Sequence, residues 1–164
     1  MRVLLMAVLA LATLGSGPRP AQAADREPQV YFFWAESCAY SQRARSFLQR
    51  AQAQDARIRI EAFEIERHPE NLVLLGKVMA RIGIPDASLV PLVIVGSNVI
   101  LGFIDDDTTG KEILNDIAKC RSIGCVDRMR DLLGGPREME QALVADLRTP
   151  TCVMRNAPTR AALP

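Results

Sequence analysis

Residues 29–41 read Gln-Val-Tyr-Phe-Phe-Trp-Ala-Glu-Ser-Cys-Ala-Tyr-Ser. The first six of these residues are a continuous β-prone run, which predicts a strand buried on both faces. Helical spacing follows at once, because apolar residues recur at intervals of three and four from Ala44 to Ala51. Cys38 is therefore expected where a buried strand ends and the first turn of a helix begins.

This position predicts a reactive sulfur. Free amide groups and the positive end of the helix dipole gather at a helix N-terminus, and both stabilise a thiolate over a thiol. The thiolate is the form that attacks disulfides, and such settings lower the pKa of a cysteine. Ser41 lies one turn further along the helix, near enough for its hydroxyl to approach the sulfur. The sequence therefore predicts Cys38 as a catalytic nucleophile and Ser41 as the residue that hydrogen-bonds to it.

The composition excludes several other classes of protein. The chain has 164 residues, of which 49% are hydrophobic and 24% charged, which is typical of one globular domain with a core. Its 20 Lys and Arg against 19 Asp and Glu provide no basic field for nucleic acid. Five Phe, two Tyr and one Trp offer little surface for stacking bases. One His and four Cys without zinc-type spacing predict no metal site.

The beginning of the chain predicts a secretory signal peptide. A charged start precedes an apolar run from Val3 to Leu14, and small residues provide an A-x-A cleavage site near Ala23 or Ala24. The run would span only about 18 Å as a helix, against a membrane core of about 30 Å. Residues 1–23 are expected to be removed, leaving an exported protein, periplasmic or secreted, without stable membrane insertion. Disulfides form and persist in such compartments.

The order of elements along the mature chain is predicted to be β-α-β-α-β-β-α. The later segments are a strand over 58–62, a helix from Pro69 to before Gly83, a hairpin over 91–101, and a helix that opens with a capping box over 109–112. Alternation of strands and helices favours parallel pairing of the first three strands, and the hairpin adds an antiparallel edge. The fold class is therefore α/β, with a mixed central sheet flanked by helices.

Two further segments follow this domain. Apolar spacing predicts a helical extension over residues 121–148, with one helix near Met129 and a second from Met139 to Leu147. Residues 149–164 carry several prolines and a basic bias, and they are predicted to form a flexible tail.

Residues 34–41 match the pattern Trp-Ala-x-x-Cys-x-x-Ser, which resembles the active-site motif of the thioredoxin superfamily. Serine stands where that motif normally has its second cysteine. Val90-Pro91 resembles the pair of a hydrophobic residue and a cis proline that opens the third strand in the superfamily. The resemblance implies a thioredoxin-like domain over residues 28–120.

The resemblance also implies roles for individual residues. In the superfamily, the residue before the cis proline offers backbone hydrogen bonds to the substrate, and the proline keeps this backbone beside the nucleophile. These roles fall to Val90 and Pro91, with a cis bond between them. The resemblance further implies substrate contacts for Trp34 and Tyr40.

Ser41 marks the departure from the superfamily pattern. A dithiol enzyme releases its mixed disulfide by attack from a second cysteine, which Ser41 cannot perform. The mixed disulfide of Cys38 would need an outside thiol such as glutathione, or another cysteine of this chain. One hypothesis is an exported monothiol oxidoreductase acting on protein or glutathione thiols and disulfides, with glutathione as a candidate co-substrate and no bound cofactor. The alternative is a redox-inactive module of the same fold that binds or traps a partner.

Residues 101–106 bear on the glutathione question. They read Leu-Gly-Phe-Ile-Asp-Asp, which resembles the Gly-Gly-x-Asp-Asp segment with which glutaredoxins hold glutathione, although one glycine is replaced and the acidic pair comes one residue late. The favoured interpretation is a strand that ends in a helix cap at Asp107 or Thr109.

The other three cysteines have separate expectations. Cys120 and Cys125 flank four residues that include a glycine, which favours a local structural disulfide over a second redox pair. Cys152 lies in the predicted tail. The sequence leaves it three fates, because it can resolve Cys38 within the chain, pair with another chain or remain free.

Overall fold

The architecture comes from a computed structural model that describes residues 27–84, 86, 88–133, 150–154 and 160–163. The predicted signal peptide and the predicted helix from Met139 to Leu147 lie outside the described residues.

Strands and helices alternate along the first half of the described chain. The strands are β1 Gln29–Trp34, β2 Arg59–Glu64, β3 Leu89–Val90, β4 Leu92–Val95, β5 Asn98–Leu101, β6 Thr151–Cys152 and β7 Arg160–Ala162. The helices are α1 Ala39–Gln54, α2 Pro69–Arg81, α3 Lys111–Ile123 and α4 Arg130–Leu133, and a π-helical turn over Asp106–Gly110 leads into α3.

Within the described residues, five strands form one mixed sheet in the order β2-β1-β4-β5-β7. β1 and β2 are parallel, whereas the pairs β1–β4, β4–β5 and β5–β7 are antiparallel. The predicted α/β class with a mixed sheet is confirmed. The expected parallel pairing of the third main strand is wrong, because β4 runs against β1.

The direction of β4 follows from where the chain returns to the sheet. β1 ends at Trp34, and β4 begins beside that end, with Leu92 opposite Phe33. Helix α2 and the residues after it therefore bring the chain back to the edge at which β1 and β2 finish. A helix between two strands gives parallel pairing only when the connection crosses the length of the sheet.

The core lies on both faces of this sheet. Along β1, Val30, Phe32 and Trp34 face α1 and α3, and Tyr31 and Phe33 face α2. This two-sided burial was predicted from the continuous apolar run. Cys38 belongs to the α2-side cluster, together with Val90 and Leu92.

Several elements begin and end where the sequence predicts. Pro69 occupies the start of α2, and Gly83 follows its last turn with φ +73°. The predicted hairpin is formed by β4 and β5, joined by the two-residue turn Gly96–Ser97. Gly96 has φ +63°, and a Cβ there would lie 2.8 Å from Cys125 Cβ. A side chain at this turn is therefore excluded by both backbone conformation and space.

The predicted capping box over residues 109–112 does not form. Asp105 caps the π-helical turn instead, because its Oδ1 accepts hydrogen bonds of 2.7 Å from the amide and the hydroxyl of Thr108. The Thr109 hydroxyl oxygen accepts from the Ile104 amide, 3.1 Å away. The extra turn moves the cap four residues towards the N-terminus.

In the segment expected to form a flexible tail, residues 150–154 and 160–163 are described and include two short strands. β6 pairs in parallel with β3, and β7 extends the main sheet beyond β5. Leu163 is buried in the α2-side cluster. The predicted extension helix near Met129 corresponds to the short α4.

A substitution at Gly110 tests the packing of α1 against the turn before α3. A Cβ at Gly110 would lie 2.6 Å from a ring carbon of Phe47, which is buried and packs on Phe103. We expect Gly110→Ala to lower the free energy of unfolding by about 1–3 kcal/mol, as overpacked cores do. Chemical denaturation measures this change in the free energy of unfolding.

The matched control adds Phe47→Leu to Gly110→Ala. The smaller side chain should remove the clash, so the two substitutions should destabilise the protein by less than the sum of their separate effects. Simple additivity would show that the ring is not what limits residue 110.

Candidate active site at the start of the first helix

Cys38 is the N-cap residue of α1. Its backbone is extended, with φ −92° and ψ 113°, and its sulfur accepts from the Ser41 amide at 3.4 Å. The Cys38 amide donates to the Ala35 carbonyl, 3.2 Å away, which closes the turn after β1. The sulfur thus occupies the place that an oxygen usually fills at an N-cap, where the free amides of the first turn are directed at it.

Ser41 acts on this arrangement through its backbone. Its side chain is completely buried, and its hydroxyl oxygen accepts from the Ala35 amide at 3.3 Å. The expected bond from the Ser41 hydroxyl to the Cys38 sulfur is therefore replaced by one from the Ser41 amide. The hydroxyl instead holds the turn that carries Cys38.

Val90 and Pro91 lie directly beside the sulfur. The peptide bond between them is cis, as the sequence comparison with the thioredoxin motif implies, and Val90 is buried. The Val90 carbonyl oxygen is 3.8 Å from Cys38 Sγ. A reduced Cys38 thiol has a hydrogen-bond acceptor at that oxygen, whereas a disulfide-bonded sulfur has no proton to donate.

Cys152 is bonded to Cys38. The sulfur atoms lie 2.14 Å apart and the Cα atoms 5.3 Å apart, although the two residues are separated by 114 positions in the sequence. Cys38 is only 2% exposed, whereas Cys152 is exposed. Of the three fates left open by the sequence, the described arrangement is the contact with Cys38 within one chain.

The two aromatic residues implied as substrate contacts lie in different surroundings. Trp34 is 7% exposed and packs on the α1 side of the sheet, with the Arg45 guanidinium 4.4 Å from its ring centroid. It is thus on the face opposite Cys38. Tyr40 is partly buried against the same cluster as Cys38, and Arg43 lies over its ring. Tyr40 therefore lies on the same face of the sheet as Cys38, and Trp34 does not.

A charged network surrounds the turn before Cys38. Glu36 is exposed and pairs with Arg67 at 3.1 Å and with Arg45 at 4.0 Å. Ser37 donates to Glu66 from its amide at 3.0 Å and from its hydroxyl. The hydroxyl bond in particular lowers the pKa of the Glu66 carboxyl below its ordinary value of 4.5. Sequence reasoning missed Glu66 and Arg67, because they come from the loop after β2 and no local pattern connects them with residue 38.

The acidic residues compared with a glutathione-holding segment are engaged in local contacts. Asp105 caps the π-helical turn, and its bonds with Thr108 lower the pKa of its carboxyl. Asp106 pairs with Arg50 of α1 at 2.6 Å, and Asp107 with Lys111 at 2.9 Å. The segment does end in a helix cap, as expected, but the capping residue is Asp105 and not Asp107 or Thr109.

The second pair of cysteines is local, as predicted. Cys120 and Cys125 have their sulfur atoms 1.93 Å apart across the end of α3. Cys120 is buried in the α1-side core, and Cys125 is exposed and packs beside Gly96. This disulfide links the end of α3 to the loop that follows it, beside the turn between β4 and β5.

In the described ranges, no group of three or more His, Cys, Asp and Glu side chains is arranged to hold a metal ion. The helices of the same ranges include none that is long and apolar enough to cross a membrane. Comparison with known proteins found no matching family model and no matching curated protein.

Replacement of Glu66 tests the network that holds the turn. Because the folded state lowers the pKa of Glu66, its carboxylate stabilises the fold above pH 4.5 and loses this effect as the pH falls through the lowered pKa. We expect Glu66→Gln to reduce Tm at pH 7 and to weaken the decline of Tm between pH 5 and pH 3. Thermal unfolding followed by circular dichroism at each pH measures both effects.

Glu61→Gln, on the neighbouring strand β2, is the control for removal of one exposed carboxylate. An equal change of the pH profile in both variants would assign the effect to net charge and not to the Ser37–Glu66 contact.

Proposed function

We propose that this chain is an exported thiol–disulfide oxidoreductase of the thioredoxin type, with Cys38 as its nucleophile and Cys38–Cys152 as its redox-active disulfide. The observation that carries the proposal is the position of Cys38 Sγ. This one atom caps α1, lies beside the carbonyl that precedes cis-Pro91, and is bonded to a second cysteine.

A thioredoxin-like fold is part of this proposal. It is supported by the parallel pair β1–β2, the antiparallel hairpin of β4 and β5 beside β1, and helices on both faces of the sheet. The start of α1 and the cis proline meet at one end of this sheet, where the superfamily has its active site.

The surroundings of Cys38 favour its thiolate. An N-cap sulfur receives a hydrogen bond from the Ser41 amide and lies at the positive end of a helix of 16 residues. Both effects also make Cys38 a good leaving group when its disulfide is reduced, because a thiolate of lower pKa leaves faster.

The proposed reaction moves two electrons. The Cys38 thiolate attacks one sulfur of a substrate disulfide, whose S–S bond breaks and releases one substrate thiolate. The Cys152 thiolate then attacks Cys38 Sγ, forms the Cys38–Cys152 bond and releases the second substrate thiolate. The substrate gains two electrons and two protons, and a dithiol donor returns the protein to its dithiol form.

Cys152 takes the role that the second motif cysteine has in dithiol enzymes. Ser41 holds the turn at the start of the helix, and the resolving thiol comes from the other end of the chain. Of the two routes that the sequence left open, the proposal therefore takes release by another cysteine of this chain, in which no glutathione is required.

The first test is the acidity of reduced Cys38. In a Cys152→Ser variant, we expect the pKa of Cys38 to be well below the value of about 8.5 of a free cysteine. Ser41→Ala should leave that pKa nearly unchanged, because the donor to the sulfur is the backbone amide of residue 41. Alkylation rates of Cys38, followed by mass spectrometry across pH, measure both variants.

An ordinary pKa would count against catalysis and favour a binding module of the same fold. A large rise of the pKa in Ser41→Ala would mean that the hydroxyl contacts the sulfur in the reduced protein.

The second test is the mixed disulfide. With insulin as a disulfide substrate and dithiothreitol as the donor, we expect Cys152→Ser to lower turnover about tenfold or more, because resolution is lost. When the reduced variant is freed of dithiothreitol and mixed with insulin, it should accumulate a covalent insulin adduct that is visible on non-reducing gels. Adding Cys38→Ser should abolish the adduct.

A rescue variant makes this result specific. Ser41→Cys in the Cys152→Ser background supplies a second cysteine one helical turn from Cys38 and should restore turnover. A control variant that carries Cys120→Ala and Cys125→Ala together, with Cys38 and Cys152 intact, should retain turnover. Full turnover by Cys152→Ser alone would remove Cys152 from the mechanism, and absence of any adduct would favour the non-catalytic alternative.

A further inference from the structure

The end of the chain pairs with the backbone that leads into cis-Pro91. The Thr151 amide donates to the Ser88 carbonyl at 2.8 Å, and the Val153 amide donates to the Val90 carbonyl at 2.8 Å. β6 thereby lies parallel to β3, with Cys152 opposite Val90. The hydroxyl groups of Thr151 and Ser88 lie 3.3 Å apart and add a side-chain contact.

This arrangement has the form of a captured substrate. An extended segment carries a cysteine that is disulfide-bonded to Cys38, and the same segment hydrogen-bonds to the carbonyl of Val90. A substrate strand that reached Cys38 by pairing with Val90 would need the same acceptor and the same sulfur. Such a substrate and residues 150–154 therefore exclude each other.

The attachment of this segment depends on the disulfide. β6 has two residues, both exposed, and the two amide bonds to β3 contribute little net free energy against the cost of ordering the segment. The next described segment has a different anchor, because β7 pairs with β5 and the Leu163 amide donates to the Ser97 carbonyl at 3.0 Å. Loss of the disulfide thus releases β6 while β7 keeps the chain end close.

We propose that residues 150–154 are a built-in pseudosubstrate that is released on reduction. In the disulfide form, the segment covers the pairing edge of Val90. A dithiol donor transfers two electrons and two protons to the Cys38–Cys152 bond and becomes a disulfide itself, and the two free thiols then allow β6 to leave. The edge and the Cys38 sulfur become accessible only in the form that can reduce a substrate. The description of this segment as a pseudosubstrate rests on the proposed function, but its release can be measured without any turnover.

Amide hydrogen exchange on the full mature chain tests the release. In the oxidised protein the Thr151 and Val153 amides should be protected, and reduction with dithiothreitol should increase their exchange about tenfold or more. Cys152→Ser should give the same increase without a reductant. The Leu163 amide, which belongs to the other anchor, should remain protected in every state.

A peptide with the sequence of residues 149–155, with serine at the position of the cysteine, tests the vacated edge. Fluorescence anisotropy should show binding to the Cys152→Ser protein and none to the oxidised wild type. N-methylation of the peptide at the Val153 position removes the donor to Val90 and should abolish binding. N-methylation at the position of Cys152 should preserve it, because alternate amides of a strand point away from its partner.

Protection of Thr151 and Val153 that persists after reduction would overturn the inference, since β6 would then be a permanent strand. Equal peptide binding by oxidised and Cys152→Ser proteins would overturn it as well. Normal turnover together with persistent protection of these amides would support the proposed function and refute the release of β6. Released amides with a Cys38 of ordinary pKa would refute the proposed function and retain the redox-released segment.

Discussion

The sulfur of Cys38 takes the place of a helix-capping oxygen, and the remainder of the site is arranged around this sulfur. β1 is buried on both faces and ends at Trp34, so the turn that follows has little freedom. The Cys38 amide closes this turn on Ala35, and the Ser41 amide is directed at the sulfur. The position and the electrostatic environment of this sulfur are therefore fixed by the same few backbone hydrogen bonds.

The sheet brings two distant parts of the chain to this atom. β4 runs against β1 and begins beside its end, which places Val90 and Pro91 at the start of α1. β6 then pairs with β3 and places Cys152 at the same point. Direct sequence neighbours supply the environment of the sulfur, and long-range strand pairing supplies the cysteine that is bonded to it.

Features encoded in local sequence were predicted well. The buried strand before Cys38, the start of α2 at Pro69 and the local pair of Cys120 and Cys125 each depend on residues within a few positions of one another. The direction of β4 was predicted wrongly, because an apolar run is the same pattern in either direction. Strand alternation places Trp34 and Ala35 on opposite faces of the sheet. Ala35 lies in the same cluster as Cys38, so the alternation already indicates that Trp34 faces away from Cys38.

Two properties of the site were beyond the reach of sequence patterns. Spacing places residue 41 one turn from residue 38, but it does not say whether a side chain or an amide faces the sulfur. The partnership of Cys38 with Cys152 depends on the path of the whole chain, because 114 positions separate the two residues. The role of Glu66 depends similarly on the meeting of two loops.

The bond between Cys38 and Cys152 closes a covalent ring between two residues that are 114 positions apart. A link across a ring of this size restricts the unfolded chain by about 4–5 kcal/mol in the chain-entropy account. Thermodynamic reciprocity then requires folding to favour ring closure by the same amount. The two thiols are far apart on average in an unfolded chain, so acquisition of the native fold would itself make this dithiol easier to oxidise to the disulfide.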